Sequence, residues 1–128
     1  MLRHHPRIHH FGEFEEGFDL VEGRETGWPS GDEYREWLST FRSFRERGLA
    51  ATPGLGYADQ VRDLARQFAE RAHDDQAVLG FTVHTGLHRV IDIWPEARFI
   101  HLLRDPRDVA RSCIGMGWVG HVYYGADY

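Results

Sequence analysis

The chain has 128 residues, of which 41% are hydrophobic and 13% aromatic, enough to bury one core, and it is read as a single domain. A formal net charge of −5, with all 15 cationic side chains arginine, argues against nucleic acid or an acidic membrane as a general partner. Cys113 is the only cysteine, no apolar run approaches about 18 residues and the start lacks a signal-peptide core, so the expectation is a cytoplasmic chain with neither disulfide nor membrane span.

Met1 to His10 holds four histidines. Pro6 interrupts any helix that would set His5 and His9 on one face, and no thiolate or carboxylate spacing completes a familiar ligand set, so a solvated turn and no metal are expected. Phe11 to Val21 reads as a glycine-punctuated loop with aromatic anchors and three glutamates, Glu13, Glu15 and Glu16.

Ser30-Gly-Asp-Glu33 is a capping box that opens a helix. Tyr34, Trp37, Leu38, Phe41 and Phe44 repeat at helical spacing along it, and Gly48 ends it. Such a stripe is core, the wall of a pocket or a face for another protein. After a loop over Ala50 to Gly56, a second amphipathic helix spans Tyr57 to His73, with Val61, Leu64, Ala65, Phe68 and Ala72 inward.

Ala77 to Val83 is a short apolar run expected to form a parallel strand beside Phe99–Leu103, with a helix fitted between Thr85 and Pro95. His84 and His88 have helical i,i+4 spacing but lack a third ligand. Phe99 to Leu103 lacks polar alternation, which suits a strand buried on both faces. Asp105 then caps a helix, Pro106 fits its first position and Asp108 meets the positive end of its dipole.

Arg104 therefore stands at a strand's carboxyl end, and Ser112 lies about two turns along the helix. A guanidinium gives a phosphate two parallel charge-assisted hydrogen bonds, and a hydroxyl adds a neutral donor. The alternative is an ion pair of Arg104 with Asp108 or another carboxylate, with Ser112 facing water.

Arg104-Asp-Pro-Arg-Asp-Val-Ala-Arg-Ser112, preceded by Trp94-Pro-Glu-Ala-Arg-Phe-Ile-His-Leu-Leu, resembles the 3′-phosphate-binding segment of sulfotransferases that use 3′-phosphoadenosine 5′-phosphosulfate, the bacterial branch in particular. The resemblance implies that Arg104 and Ser112 bind the 3′-phosphate of this co-substrate. It implies that Glu13, in the Gly-Glu neighbourhood, is the base that takes the acceptor's proton, although Glu15 and Glu16 are equally at hand. Many relatives carry a lysine near Thr82 to His84 that faces the reaction centre; here protonated His84 is the substitute. The two helices from Ser30 to His73 resemble the family's helical insert beside the acceptor.

The chain departs from that pattern in lacking a glycine-rich 5′-phosphosulfate loop. The resulting expectation is an α/β fold, a truncated three-layer α/β/α P-loop-type sulfotransferase domain over 1–128, with a short parallel sheet and a helical insert. It transfers a sulfuryl group to an alcohol or amine on a small molecule, glycan or peptide, with impaired or no activity as a fragment; the rival is a non-catalytic nucleotide-binding or protein-interaction remnant. An exposed sheet edge is expected to support self-association. Trp118, Tyr123 and Tyr124 are expected to line an acceptor or adenine pocket, or to cover the sheet.

Overall fold

A computed structural model describes residues 5–21, 27–71, 78–84 and 87–117. The elements in order are β1 (Ile8–Glu13), α1 (Glu15–Phe18) with a 3-10 turn over Asp19–Val21, α2 (Gly31–Thr40), α3 (Arg42–Glu46), α4 (Tyr57–Ala69), β2 (Val78–Thr82), α5 (Leu87–Ile93) and α6 (Pro106–Met116). The chain divides into two compact units, residues 1–97 and 98–128. Trp118, Tyr123 and Tyr124 lie outside the described residues.

In the first unit β1 and β2 form a two-stranded parallel sheet, with Ile8 opposite Val78, His10 opposite Gly80 and Glu13 opposite Thr82. The stretch Ile8–Glu13 is thus a strand where the sequence suggested a turn and a loop. Its histidines hide the period, because Ile8 to Phe11 are all intermediate in burial and neither face of β1 is uniformly apolar. Between His10 and Glu13 the first strand carries one residue more than the second, at Gly12, whose φ of 97° only glycine adopts without strain. This bulge sits immediately before Glu13 and re-aims the strand end that carries it.

The sheet rests on helices through an aromatic core. Phe14, Phe18, Tyr34, Leu38, Phe44, Tyr57, Val61, Leu64 and Phe68 are buried together with Val90 and Ile93 of α5. Phe11 stacks on Phe68 with ring centroids 4.0 Å apart, and Phe14 meets Phe81 edge-on at 5.1 Å. Tyr34, Leu38 and Phe44 of the sequence's aromatic stripe are therefore core, with Trp37 and Phe41 packed at its margin.

Ser30 caps α2 as expected, its Oγ accepting from Glu33 N–H at 3.1 Å. The expected single helix to Gly48 is broken at Phe41, which is extended (φ −78°, ψ 120°). Ser39 and Thr40 direct their hydroxyls onto the carbonyls of Glu36 and Trp37, a local competition that weakens the helix there. A short α3 follows. The second helix ends at Ala69, before the expected His73.

The sharpest correction concerns Phe99–Leu103. This run forms no strand, and Ile100, Leu102 and Leu103 are 70%, 81% and 83% exposed. A strand needs a neighbour for its backbone N–H and C=O groups, and among the described residues of the second unit this run has no strand to pair with. The second unit's α6 is as the sequence predicts. Asp105 accepts from Arg107 N–H at 2.9 Å, Pro106 opens the helix and Gly117, left-handed at φ 70°, closes it.

Candidate functional site

Parallel strands run the same way, so β1 and β2 end side by side, at Glu13 and Thr82. Ligands of open parallel sheets gather at that edge. Glu13 closes β1, and His84 stands two residues beyond β2. The structure brings these two sequence-predicted residues together: His84 Nε2 is 3.4 Å from Glu13 Oε1, with the side chains 62% and 54% exposed. An ion pair this open is reachable by a reacting group from solvent, and it is charged on both sides only when the imidazole carries its second proton.

Beside the pair is a depression lined by Phe14, Glu15, Phe18, Asp19, Thr82, Val83 and His84. Its floor is aromatic and its rim acidic. Phe14 N–H donates to Thr82 O at 2.9 Å, which continues the sheet's bonding by one step and holds the two strand ends in register.

The three adjacent carboxylates, indistinguishable by sequence, differ sharply in surroundings. Glu16 is fully buried and accepts from Ser43 Oγ at 2.8 Å and from Arg47 Nη1 at 3.2 Å. Its backbone carbonyl accepts from Tyr34 OH at 2.5 Å, and the next carbonyl, of Gly17, accepts from Tyr57 OH. Glu16 is a structural anchor. Glu15 is half-buried at the depression, and its pKa is raised by burial first, then by a hydrogen bond with Glu13 and by the charges of Glu13 and Glu16, against a lowering by Arg47. Glu13 alone combines exposure with the His84 contact.

Sequence reasoning missed Arg47 and Ser43. Both belong to the polar face of α3 and its end, where arginine and serine carry no signal of a buried acidic partner in another element. In the sequence Tyr57 marks only the start of a helix. Burial pushes its hydroxyl well above the usual tyrosine range, with Arg89 opposing and Asp19 adding to the shift, so Tyr57 is a hydrogen-bond donor and not a base.

In the second unit Arg104 precedes the cap of α6, and Ser112 is on its second turn, about 9 Å along the axis from Pro106. Both side chains are exposed. Asp105 pairs with Arg107 at 2.7 Å, and among the described residues Arg104 forms no ion pair with Asp108. The guanidinium and the hydroxyl are thus donors open to solvent, of the type that suits a phosphate. Among the described residues no group of three or more His, Cys, Asp and Glu is placed to hold a metal ion, and no helix is long and apolar enough to cross a membrane.

The described part of the chain is thus an α/β fold with a short parallel sheet and an acid-imidazole pair at the sheet's carboxyl edge. The model of the sulfotransferase family matches residues 1–127, and the chain belongs to that family, whose reaction is sulfuryl transfer. No curated protein and no solved structure matches the chain.

Proposed function

We propose that the chain takes 3′-phosphoadenosine 5′-phosphosulfate as sulfuryl donor and passes the group to an alcohol or amine on a small molecule, glycan or peptide. The observation that carries this reading is the Glu13–His84 pair, 3.4 Å apart where two parallel strands end, in a chain of the sulfotransferase family. The Glu13 carboxylate takes the acceptor's proton as the acceptor's lone pair forms its bond to sulfur. The bond from sulfur to the bridging phosphate oxygen breaks, and the negative charge leaves on the nucleotide's 5′-phosphate. Protonated His84 offsets the charge that builds on the transferring group. Arg104 and Ser112 hold the 3′-phosphate, which their solvent-open donors support.

Two measurements test it. Calorimetric titration with adenosine 3′,5′-bisphosphate is expected to show binding that weakens in Arg104→Ala and in Ser112→Ala; equal binding by the variants overturns the phosphate assignment. Sulfuryl transfer from the nucleotide donor to a panel of alcohols and amines is expected to fall in Glu13→Gln. Binding without turnover against any acceptor would mark the chain as a nucleotide-binding relative.

A further inference from the structure

The peptide group between Glu13 and Phe14 is held on both sides. Its N–H, from Phe14, donates to Thr82 O of the neighbouring strand at 2.9 Å, and its C=O, from Glu13, accepts from Arg47 Nη1 at 2.8 Å. A peptide unit is planar, so fixing both of its polar ends fixes the orientation of the plane and restricts the ψ angle of Glu13. That angle helps set where the Glu13 carboxylate stands. The need for such a hold is plain from the residue before, since Gly12, at φ 97°, gives the backbone no side chain to pack.

Arg47 can serve as a fixed point because it is itself anchored. The same Nη1 donates to Glu16 Oε2 at 3.2 Å, and Glu16, with no exposed surface, is tied by its other oxygen to Ser43 Oγ at 2.8 Å. The main-chain oxygen of Arg47 accepts from Arg71 Nη1 at 2.6 Å, and its guanidinium lies 5.6 Å from the ring centre of Phe68. A guanidinium with this many constraints loses little further freedom in holding the carbonyl.

From this geometry we infer that Arg47 is a positioning residue for Glu13: anchored on buried Glu16, it clamps the Glu13–Phe14 peptide and so presents the Glu13 carboxylate at the sheet edge opposite His84. The inference rests on Glu13 being the base. It makes the placement of α3, in the helical part of the first unit, a condition for the geometry of the strand end. An acceptor that shifts α3 would therefore shift the base.

The test reads geometry and needs no turnover. Glu15 reports on Glu13, because the hydrogen bond and the charge of Glu13 both raise its pKa, whereas Arg47 lowers it. The charged groups around Glu15 are Glu13 and Glu16 on its own stretch, Arg47 beyond α3, and Asp19 and His84 on the rim. Carboxyl carbon NMR of the full chain, carrying carbon-13 glutamate, follows the Glu15 midpoint in wild type, Arg47→Met and Arg47→Lys. Positioning predicts a downward shift in Arg47→Met, toward the ordinary glutamate value, because Glu13 swings away. Arg47→Lys keeps a cationic donor for the two acceptors, one bond shorter than Nη1, and is expected to return the midpoint part of the way to the wild-type value.

A purely electrostatic role predicts the opposite sign, since loss of the arginine charge alone moves Glu15 further up. An upward or absent shift in Arg47→Met, or a downward one that Arg47→Lys does not reverse in part, overturns the inference. Should Arg47→Met fail to fold, Arg47→Gln replaces it: the shorter amide leaves a polar neighbour for Glu16 but falls about two bonds short of both acceptors, and the same signs apply. Failure of the base reading is seen elsewhere, as undiminished sulfuryl transfer in Glu13→Gln.

Discussion

Replacing Arg47 by methionine removes one half of a charge pair whose other half cannot reach water. The Glu16 side chain has 0% exposure and that of Arg47 27%. Stripping one partner from a fully buried pair costs about 3–5 kcal/mol, because the remaining charge is left uncompensated. Water reaches the arginine side here, which places Arg47→Met near the lower end, at about 3 kcal/mol. The reverse change is milder. In Glu16→Leu the arginine keeps water and the Glu13 carbonyl, so a loss of about 1–2 kcal/mol is expected, mostly for the unpaired Ser43 hydroxyl and the imperfect fit. The double variant has no orphaned charge, and its loss is expected to fall short of the summed single losses by about 2 kcal/mol. Urea unfolding followed by tryptophan fluorescence, with unchanged slopes, gives all three values from the midpoints. Losses that simply add, or a Glu16→Leu variant weaker than Arg47→Met, would refute the reasoning.

Three further expectations follow from single sites. Asp63 accepts from Arg66 Nη2 at 2.5 Å, Gln67 Nε2 at 2.9 Å and Thr52 Oγ1 at 3.0 Å, and the Arg66 bond chiefly holds its pKa below 3.8. The unfolded state then takes up the proton first as pH falls, so the stability Asp63 contributes is present above about 3.8 and lost toward its lowered folded value; urea midpoints of wild type and Asp63→Asn should converge across that window. Glu15 has the opposite sign. Its raised folded pKa means that the native state binds the proton first, so its charge weakens the fold at neutral pH, and Glu15→Gln should be more stable than wild type at pH 7, by a margin that shrinks as pH falls toward 4.5. Gly31 opens α2 against the adjacent loop, where an added Cβ would lie 2.1 Å from Leu55 O. Alanine gains up to about 1 kcal/mol of helix propensity, but the overlap is with backbone that cannot rotate away, and Gly31→Ala is expected to lose about 1–3 kcal/mol net in the same unfolding assay.

Legibility from sequence followed the range of the interactions. The Ser30 cap, the inward face of α4 over Val61, Leu64, Ala65 and Phe68 and the Asp105-Pro106 start of α6 were all readable. Each is set within one or two turns of chain, by capping groups and a 3.6-residue period. The strand at Ile8–Glu13 was not readable, because a half-buried strand of histidines lacks the alternation that marks one. Phe99–Leu103 is the opposite case: its apolar composition suits a strand, but a strand also needs a pairing partner, which composition does not specify.

The candidate site divides along the same line. Glu13 and His84 lie 71 residues apart in the chain, and only the parallel pairing of β1 with β2 sets them 3.4 Å from each other. Sequence supplied the inventory: an acidic run at residues 13–16, an imidazole after an apolar run, an arginine and a serine flanking a capped helix, and the sulfotransferase likeness that ties them to one chemistry. Folding decided their states. Of three neighbouring glutamates it buried one against Arg47, placed one in a desolvated rim and left one open to solvent. Residue identity fixes which protons a side chain can exchange, whereas desolvation and the charges that long-range contacts bring near it decide which of those exchanges takes place.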